Sequence, residues 1–209
     1  MRAGVPEVPR NGNEVFNAAA AQLSNPMISL PFRRLRRPPR IDALYGMIVA
    51  QARMPAFYRD YGVPDTVEGR LDMIVLHLVL VLQRLAKGHS GLPPLGQQLF
   101  DRFCRDIDDN FREMGVGDLT VPKEMRKVAE AFYGRSKAYE AALLTADTRA
   151  LEQTVARNVF GASEVSLGAR RLAAYMRKAA QMLGGRDLEE LGQALQFPDP
   201  QAVPEPALG

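Results

Sequence analysis

Apolar residues recur every three or four positions through much of the chain, and the pattern is clearest over residues 99–139. Such spacing places them on one side of a helix. In the first half of this run the apolar stripe consists of Leu99, Phe103, Ile107, Phe111 and Met114. Gly115 and Gly117 follow it, and glycine readily adopts the backbone angles of a helix end and a tight turn. This part of the chain therefore predicts an amphipathic helix that ends in a turn.

A second amphipathic helix is predicted to begin directly after Thr120. This threonine can serve as the N-cap, and Pro122 lies in the first turn, where its missing amide hydrogen costs nothing. The predicted buried stripe consists of Met125, Val128, Ala129, Phe132 and Tyr133. Lys123, Arg126 and Lys127 occupy the opening turns, where the helix dipole disfavours positive charge. This local conflict suggests that these cations meet a partner.

Further helices are predicted on both sides of this pair. One is capped by Asp42 and ended by Pro55, and a long one follows Thr66 and runs to about Lys87. The long helix is apolar on every side over residues 73–82, which is typical of a central, buried helix. Shorter helices are predicted over residues 151–160, 167–183 and 187–195, and no segment has a convincing strand pattern. The fold class is therefore all-α, a single compact helical bundle around a central apolar helix.

The predicted organisation has three parts: a flexible N-terminal arm with a basic cluster at 1–40, a helical domain at 41–196, and a frayed Pro-rich tail at 197–209. Because residues 1–29 lack sustained periodicity, we hypothesise that the biological start is Met27. The longest apolar run, residues 73–82, falls well short of the ~20 residues that span a bilayer. The lone cysteine, Cys104, excludes an intramolecular disulfide, favours a reducing compartment and is expected to border the core.

The formal net charge of +3 is too small to mark the whole chain as a DNA-binding protein, but much of the excess lies in the arm. The basic cluster consists of Arg33, Arg34, Arg36, Arg37 and Arg40. Near an anionic lipid surface each such cation contributes on the order of 1 kcal/mol. RNA or a ribosome would satisfy the same charges, and a solvated arm needs no partner at all. The sequence leaves these three interpretations open.

Candidate catalytic and metal-binding residues are sparse. Asp106, Asp108 and Asp109 have no second acidic cluster to share a magnesium ion, so a solvated or partner-facing acidic surface is favoured. His77 and His89, twelve positions apart, do not form a ligand set, and His77 is interpreted as a hydrogen-bonded core histidine. Nucleophile triads and phosphate-binding glycine patterns are not recognisable. We therefore predict no catalytic residue, no metal site and no cofactor.

Four segments in this order carry a family resemblance: residues 69–85, 100–118, 121–135 and 156–161. Together they resemble the ubiquinol-cytochrome c chaperone family, in its alphaproteobacterial form, over roughly residues 42–195. The resemblance implies a non-catalytic assembly factor for respiratory complex III that binds newly made cytochrome b as its client. Mitochondrial members hold this client with a small partner protein. The expected localisation is cytoplasmic, with peripheral attachment to the cytoplasmic face of the inner membrane.

The client-binding face is expected among polar residues within the matched segments and close to them. These candidates are Asp109, Arg112, Asp118, Lys123, Arg135, Tyr139, Arg157 and Asn158. A client with membrane helices also needs an apolar groove, and adaptable methionines could line it: Met114, Met125, Met176 and Met182. Two alternatives stay open, a helical enzyme acting on an isoprenoid or quinone-like substrate and an RNA- or ribosome-associated adaptor.

Overall fold

A computed structural model describes residues 39–87, 92–185 and 195–204, and all regular structure within them is helical. The helices are α1 (Pro39–Ala52), α2 (Pro55–Arg59), α3 (Val67–Ala86), α4 (Pro94–Glu113), α5 (Val121–Leu144), α6 (Thr148–Val159) and α7 (Leu167–Gly184), followed by a 3₁₀ turn at Pro200–Ala202. The all-α prediction is confirmed. Outside the described residues lie Met27, His89, residues 187–194 of the predicted helix over 187–195, and the arm's Arg33, Arg34, Arg36 and Arg37.

Helix α3 is the centre of the bundle. The Thr66 hydroxyl accepts a hydrogen bond from the Gly69 amide at 3.1 Å, which caps the helix at the predicted position. Every residue from Met73 to Leu82 is buried, and α3 packs against α1, α4, α5, α6 and α7. A helix that is apolar on every side is stable only when neighbours cover every side. The predicted central apolar helix is therefore confirmed.

Two predicted helix caps are wrong. Helix α1 begins at Pro39, so Asp42 lies within its first turn, and its carboxylate accepts a hydrogen bond from Arg102 Nε of α4 at 2.8 Å. Thr120 precedes α5 but has helical backbone angles and makes no side-chain cap. The preceding turn begins this helix instead, because the amides of Thr120 and Val121 donate to the Gly117 carbonyl at 2.7 and 3.1 Å.

The segment after α7 returns to the core. The Phe197 ring lies 5.0 Å from the His77 ring, Gln51 Nε2 donates to the Pro198 carbonyl at 3.1 Å, and the Tyr61 hydroxyl donates to the Pro200 carbonyl at 2.6 Å. The expectation of a frayed tail is therefore wrong for residues 197–204. Prolines lack an amide donor, but their carbonyls are full acceptors, and here they anchor an irregular segment to the bundle.

Two glycines make a matched stability test. A methyl group at Gly168, in the first turn of α7, would lie 2.0 Å from the Tyr61 carbonyl oxygen, whereas one at Gly134 of α5 would meet nothing within 4 Å. We expect Gly168→Ala to lower the free energy of unfolding by about 1–3 kcal/mol through overpacking. Gly134→Ala should raise it by about 0.5–1 kcal/mol, because alanine favours a helix interior. Urea unfolding of both variants checks this, and equal stabilities would contradict the close packing of α7 on residue 61.

Candidate binding groove

A groove of about 820 Å³ runs between α4 and α5. Its apolar floor is formed by Phe100, Phe103, Cys104, Met125, Val128, Ala129 and Tyr133. Its rim carries Asp108, Lys123, Arg126 and Glu130. A mainly apolar concavity with a few charged groups at its edge is the usual form of a binding site in a protein surface.

The groove follows from side-chain size at helical spacing. On α4, Phe100, Cys104 and Asp108 are four residues apart and share one side, and Ala129 and Tyr133 do so on α5. Cys104 and Ala129 are small, so the middle of the α4–α5 contact is left unfilled. Burial raises the pKa of the Cys104 thiol to about 12, so this residue contributes to the groove as a neutral, weakly polar group.

An aromatic cluster closes one end of the groove. The rings of Phe100 and Phe132 lie 5.0 Å apart, those of Phe103 and Phe132 5.7 Å apart, and those of Phe132 and Tyr133 5.8 Å apart. Phe132 is fully buried, and it joins the groove floor to the core. Tilted and edge-on ring contacts at these distances stabilise the arrangement beyond simple burial. Packed aromatic rings therefore form the wall at this end of the groove, which is called the aromatic wall below.

The α4–α5 turn extends the apolar surface beyond the other end. Leu119 is 97% exposed and Met114 is 59% exposed, and Gly115 has a φ of +80° that lets the chain reverse. Met114, the last residue of the predicted apolar stripe, lies just beyond α4, which ends at Glu113, and is therefore part of the turn. Large apolar side chains that stay exposed next to a groove are typical of interaction surfaces.

The charges near this turn differ in how they are compensated. Arg112 bridges Asp108, at 2.7 Å, and Asp118. Lys127 is paired with Glu124 at 2.8 Å. Within the described ranges, 39–87, 92–185 and 195–204, Lys123 and Arg126 make no ion pair or side-chain hydrogen bond. The groove rim therefore carries two cations whose charge is not neutralised by a described neighbour.

The eight polar candidates fall into three groups. Four of them, Asp109, Arg112, Asp118 and Lys123, surround the α4–α5 turn. Arg135 and Tyr139 lie further along α5, and Arg157 and Asn158 lie at the end of α6. Asn158 is bound to its own helix, where Nδ2 donates to the Thr154 carbonyl at 2.9 Å. Of the eight, Lys123 lines the groove, and Arg112 contacts the groove residue Asp108. Of the proposed groove methionines, Met125 lines it, Met176 is fully buried and Met182 is half-buried on α7.

Tyr139 is not a surface residue. Its side chain is fully buried, and its hydroxyl has no hydrogen-bond partner in the described part of the chain. Phe132, Ser136 and Tyr139 follow at spacings of four and three, so they share the side of α5 that is buried. The expected surface position of Tyr139 is therefore wrong, and this spacing was the signal for its burial.

A buried ion pair connects α5 to the central helix. Arg135 Nη2 lies 2.7 Å from Asp72 Oδ1, and the two side chains are 23% and 12% exposed. Burial is the main cause that raises the pKa of Asp72 to about 6, and the Arg135 cation opposes it. The pair joins α3 to the part of α5 that follows the groove-lining residues. It therefore holds α5 against the central helix.

His77 lies in a closed hydrogen-bond network. Its Nδ1–H donates to the Met73 carbonyl at 2.7 Å, the Tyr175 hydroxyl donates to its Nε2 at 2.8 Å, and Gln51 Nε2 donates to the Tyr175 oxygen at 3.0 Å. Complete burial lowers the pKa of His77 to about 4, so the ring is neutral near pH 7. Both ring nitrogens are already used, and the interpretation as a core histidine is confirmed.

The acidic trio on α4 is dispersed rather than convergent. Asp106 accepts hydrogen bonds from the Tyr45 hydroxyl at 2.9 Å and from Arg102 Nη1 at 3.3 Å, on the α1 side of α4. Asp108 is held by Arg112, and Asp109 is exposed. Among the described residues, no three acidic, histidine or cysteine side chains form a group that could hold a metal ion.

A second cleft has a volume of about 520 Å³. It lies beside α2 and is lined by Arg53, Pro55, Tyr58, Arg59, Asp65 and Arg70. Arg70 is paired with Asp65 at 2.6 Å, and Arg59 with the adjacent Asp60 at 2.6 Å. These pairs neutralise most of the local charge, and the cleft is smaller than the α4–α5 groove.

Residues 59–195 match the family described as Ubiquinol-cytochrome C chaperone, and the chain therefore belongs to that family. It is an assembly factor rather than an enzyme, so the enzymatic alternative is set aside. No helix among the described residues is both long enough and apolar enough to cross a membrane.

Two relatives extend this comparison. The chain is 23% identical, over 149 residues, to ubiquinol-cytochrome-c reductase complex assembly factor 1 of Xenopus laevis, covering 71% of this chain and 74% of that protein. It is also similar to the crystal structure of the Cbp3 homolog from Brucella abortus, with a TM-score of 0.70 and 36% identity, covering 79% of this chain and 92% of that one. The predicted family is confirmed, and the Brucella chain agrees with the alphaproteobacterial form.

Proposed function

We propose that this chain is a non-catalytic chaperone that binds newly made cytochrome b during the biogenesis of respiratory complex III. The apolar α4–α5 groove carries the proposal, since a membrane-protein client exposes apolar helices until it is assembled. Family membership supports the assembly role, and the resemblance supplies the client.

The proposed mechanism needs only differential binding. A chaperone that binds the immature client, and not the mature one, lowers the concentration of the aggregation-prone state in proportion to its affinity. Cofactor insertion or the arrival of partner subunits buries the client's exposed surface and thereby releases the chaperone. No residue of the chain has to react, and the groove only has to be open to the client.

The candidate contacts differ in how well their positions suit this role. Lys123 lines the groove and Arg112 is paired with its rim residue Asp108, so these two are the first polar contacts to test, followed by Asp109 and Asp118 near the same turn. Arg135, Arg157 and Asn158 are more distant proposals. Tyr139, being buried, would influence a client only through the packing of α5.

The localisation and the arm belong to the same proposal. We place the chain in the cytoplasm, peripherally on the cytoplasmic face of the inner membrane, with the arm's five arginines meeting anionic headgroups. A ribosome contact through the same arginines would bring the chaperone to the client during synthesis.

Photo-crosslinking in native membranes tests the function. With the crosslinker at Ala129, in the groove floor, we expect capture of cytochrome b, and more of it when complex III assembly is stalled. A crosslinker at the exposed Ala131, on another side of α5, is the matched control. Reproducible absence of cytochrome b from purified, mass-spectrometrically identified adducts would overturn the proposal. Fractionation of the same cells locates the chain, and recovery away from membranes would contradict the peripheral attachment.

A further inference from the structure

We infer that the α4–α5 groove binds about two turns of a helix whose apolar side faces the floor and whose acidic side chains lie over Lys123 and Arg126. This inference rests on the proposed function, because the helix would be a segment of the client. It adds the shape and the charge of the segment that the groove selects.

The length of the groove fits a short helical segment. Phe100 and Asp108, at its two ends on α4, are eight residues apart, or about 12 Å along the axis, and two turns of helix are about 11 Å long. Two antiparallel helices with small side chains at their contact offer a channel into which a third helix can place residues i, i+3 or i+4, and i+7. The depression beside Cys104 and Ala129 receives the central one of these side chains.

Two cations determine which occupant suits the end of the groove near the α4–α5 turn. Lys123 and Arg126 lie in the first two turns of α5, where the helix dipole adds to their positive potential. Their neighbours Lys127 and Arg112 are neutralised by carboxylates of the same chain, whereas these two have no partner among the described residues. An acidic group of an occupant would complement them and relieve the unfavourable dipole interaction.

The other charged residues of the rim determine at which end of the groove an acidic group of the occupant is favoured. Asp108 is occupied by Arg112, and Glu130 lies about one turn beyond Arg126, towards the aromatic wall. A carboxylate on the occupant is therefore favoured beside Lys123 and disfavoured near Glu130. The chain's own basic arm is a poor occupant, because its arginines would meet Lys123 and Arg126 with like charge.

Labelled synthetic helical peptides test the preference with the full-length chain. All share one leucine–alanine apolar side, and they differ only in a glutamate pair or a lysine pair at either end. By fluorescence anisotropy at low salt, the better glutamate peptide should bind about tenfold more tightly than its lysine counterpart. Equal affinities, or tighter binding of a lysine peptide, would overturn the inference, and the latter would point to the basic arm as the occupant.

Substitutions in the groove provide the second arm of the test. Ala129→Leu fills the floor and should abolish binding, whereas Ala131→Leu, on an exposed side of α5, should not change it. The double variant Lys123→Glu and Arg126→Glu should reverse the preference towards lysine peptides, and Lys137→Glu, exposed on the same helix, is its control. Thermal melting of each variant confirms folding. An unchanged peptide preference in the double variant would overturn the inference.

The two proposals fail separately. If, with the crosslinker moved to Met125, the chains with Ala129 and with Ala129→Leu capture cytochrome b equally well, the groove inference is wrong and the proposed function stands. If the peptide preference and its reversal are observed but cytochrome b is never captured, the groove recognises acidic-ended helices and the proposed client is wrong.

Discussion

Replacing Arg135 with leucine is expected to lower the free energy of unfolding by about 3 kcal/mol. The change leaves the Asp72 side chain, which is 12% exposed, without the cation that now lies 2.7 Å away. Removing one partner of a buried pair costs roughly 3–5 kcal/mol because the other charge stays desolvated, and the partial exposure of Arg135 places the effect at the low end. Denaturant unfolding at pH 7.5, where Asp72 is ionised, measures it.

The companion variants separate this charge effect from lost packing. Asp72→Asn should restore most of the stability of the Arg135→Leu chain, because the uncharged amide no longer needs a counter-ion. Arg112→Leu is the surface control, since its exposed pairs with Asp108 and Asp118 should contribute no more than about 1 kcal/mol. A loss below 1 kcal/mol for Arg135→Leu, or no recovery in the double variant, would show that the pair does not stabilise the α3–α5 contact.

The helices with strong local signals were predictable. The apolar run over 73–82 required a central helix, and the Gly115 turn separated two amphipathic ones. Predictions of helix caps and chain ends were wrong where a residue distant in sequence binds the group that the local pattern had assigned to another role. The local sequence predicts that Asp42 caps a helix, but its carboxylate accepts a hydrogen bond from Arg102. Residues 197–204 read as a frayed tail, but Gln51 and Tyr61 bind the carbonyls of this segment. Neither partner can be inferred from the local sequence.

The groove could be predicted only in part. The apolar stripe on α5 was recognised, but it was expected to be buried, and whether a neighbour covers such a stripe is decided by tertiary packing. Val128 and Ala129 stay partly exposed because α4 presents the small Cys104 opposite them. The polar candidates near the turn were closer to the site than those on α6. The unusual cations at the start of α5 were the most useful local signal, since two of them border the groove.

Acidification should reveal two buried groups that act in opposite directions. His77 has a pKa of about 4 in the folded chain and 6.5 when unfolded, so the unfolded state binds the extra proton between these values. The contribution of His77 to stability is therefore complete above pH 6.5 and falls by about 3 kcal/mol as the pH drops to 4. Asp72 has a folded pKa of about 6, above its usual 3.8, so its contribution is complete below pH 3.8 and is lost as the pH rises through 6.

The two contributions to the free energy of unfolding are of similar size and opposite sign, so they are expected to cancel in the wild type. Variants are therefore needed to separate them. Between pH 7 and pH 4, His77→Gln should lose about 3 kcal/mol less stability than the wild type, since glutamine does not ionise. Asp72→Asn should lose about 3 kcal/mol more, since it lacks the compensating proton uptake of the folded state. Other carboxylates titrate equally in all three chains, so the differences isolate the two groups. Parallel stability profiles for the wild type and His77→Gln would show that the imidazole is not held neutral in the core.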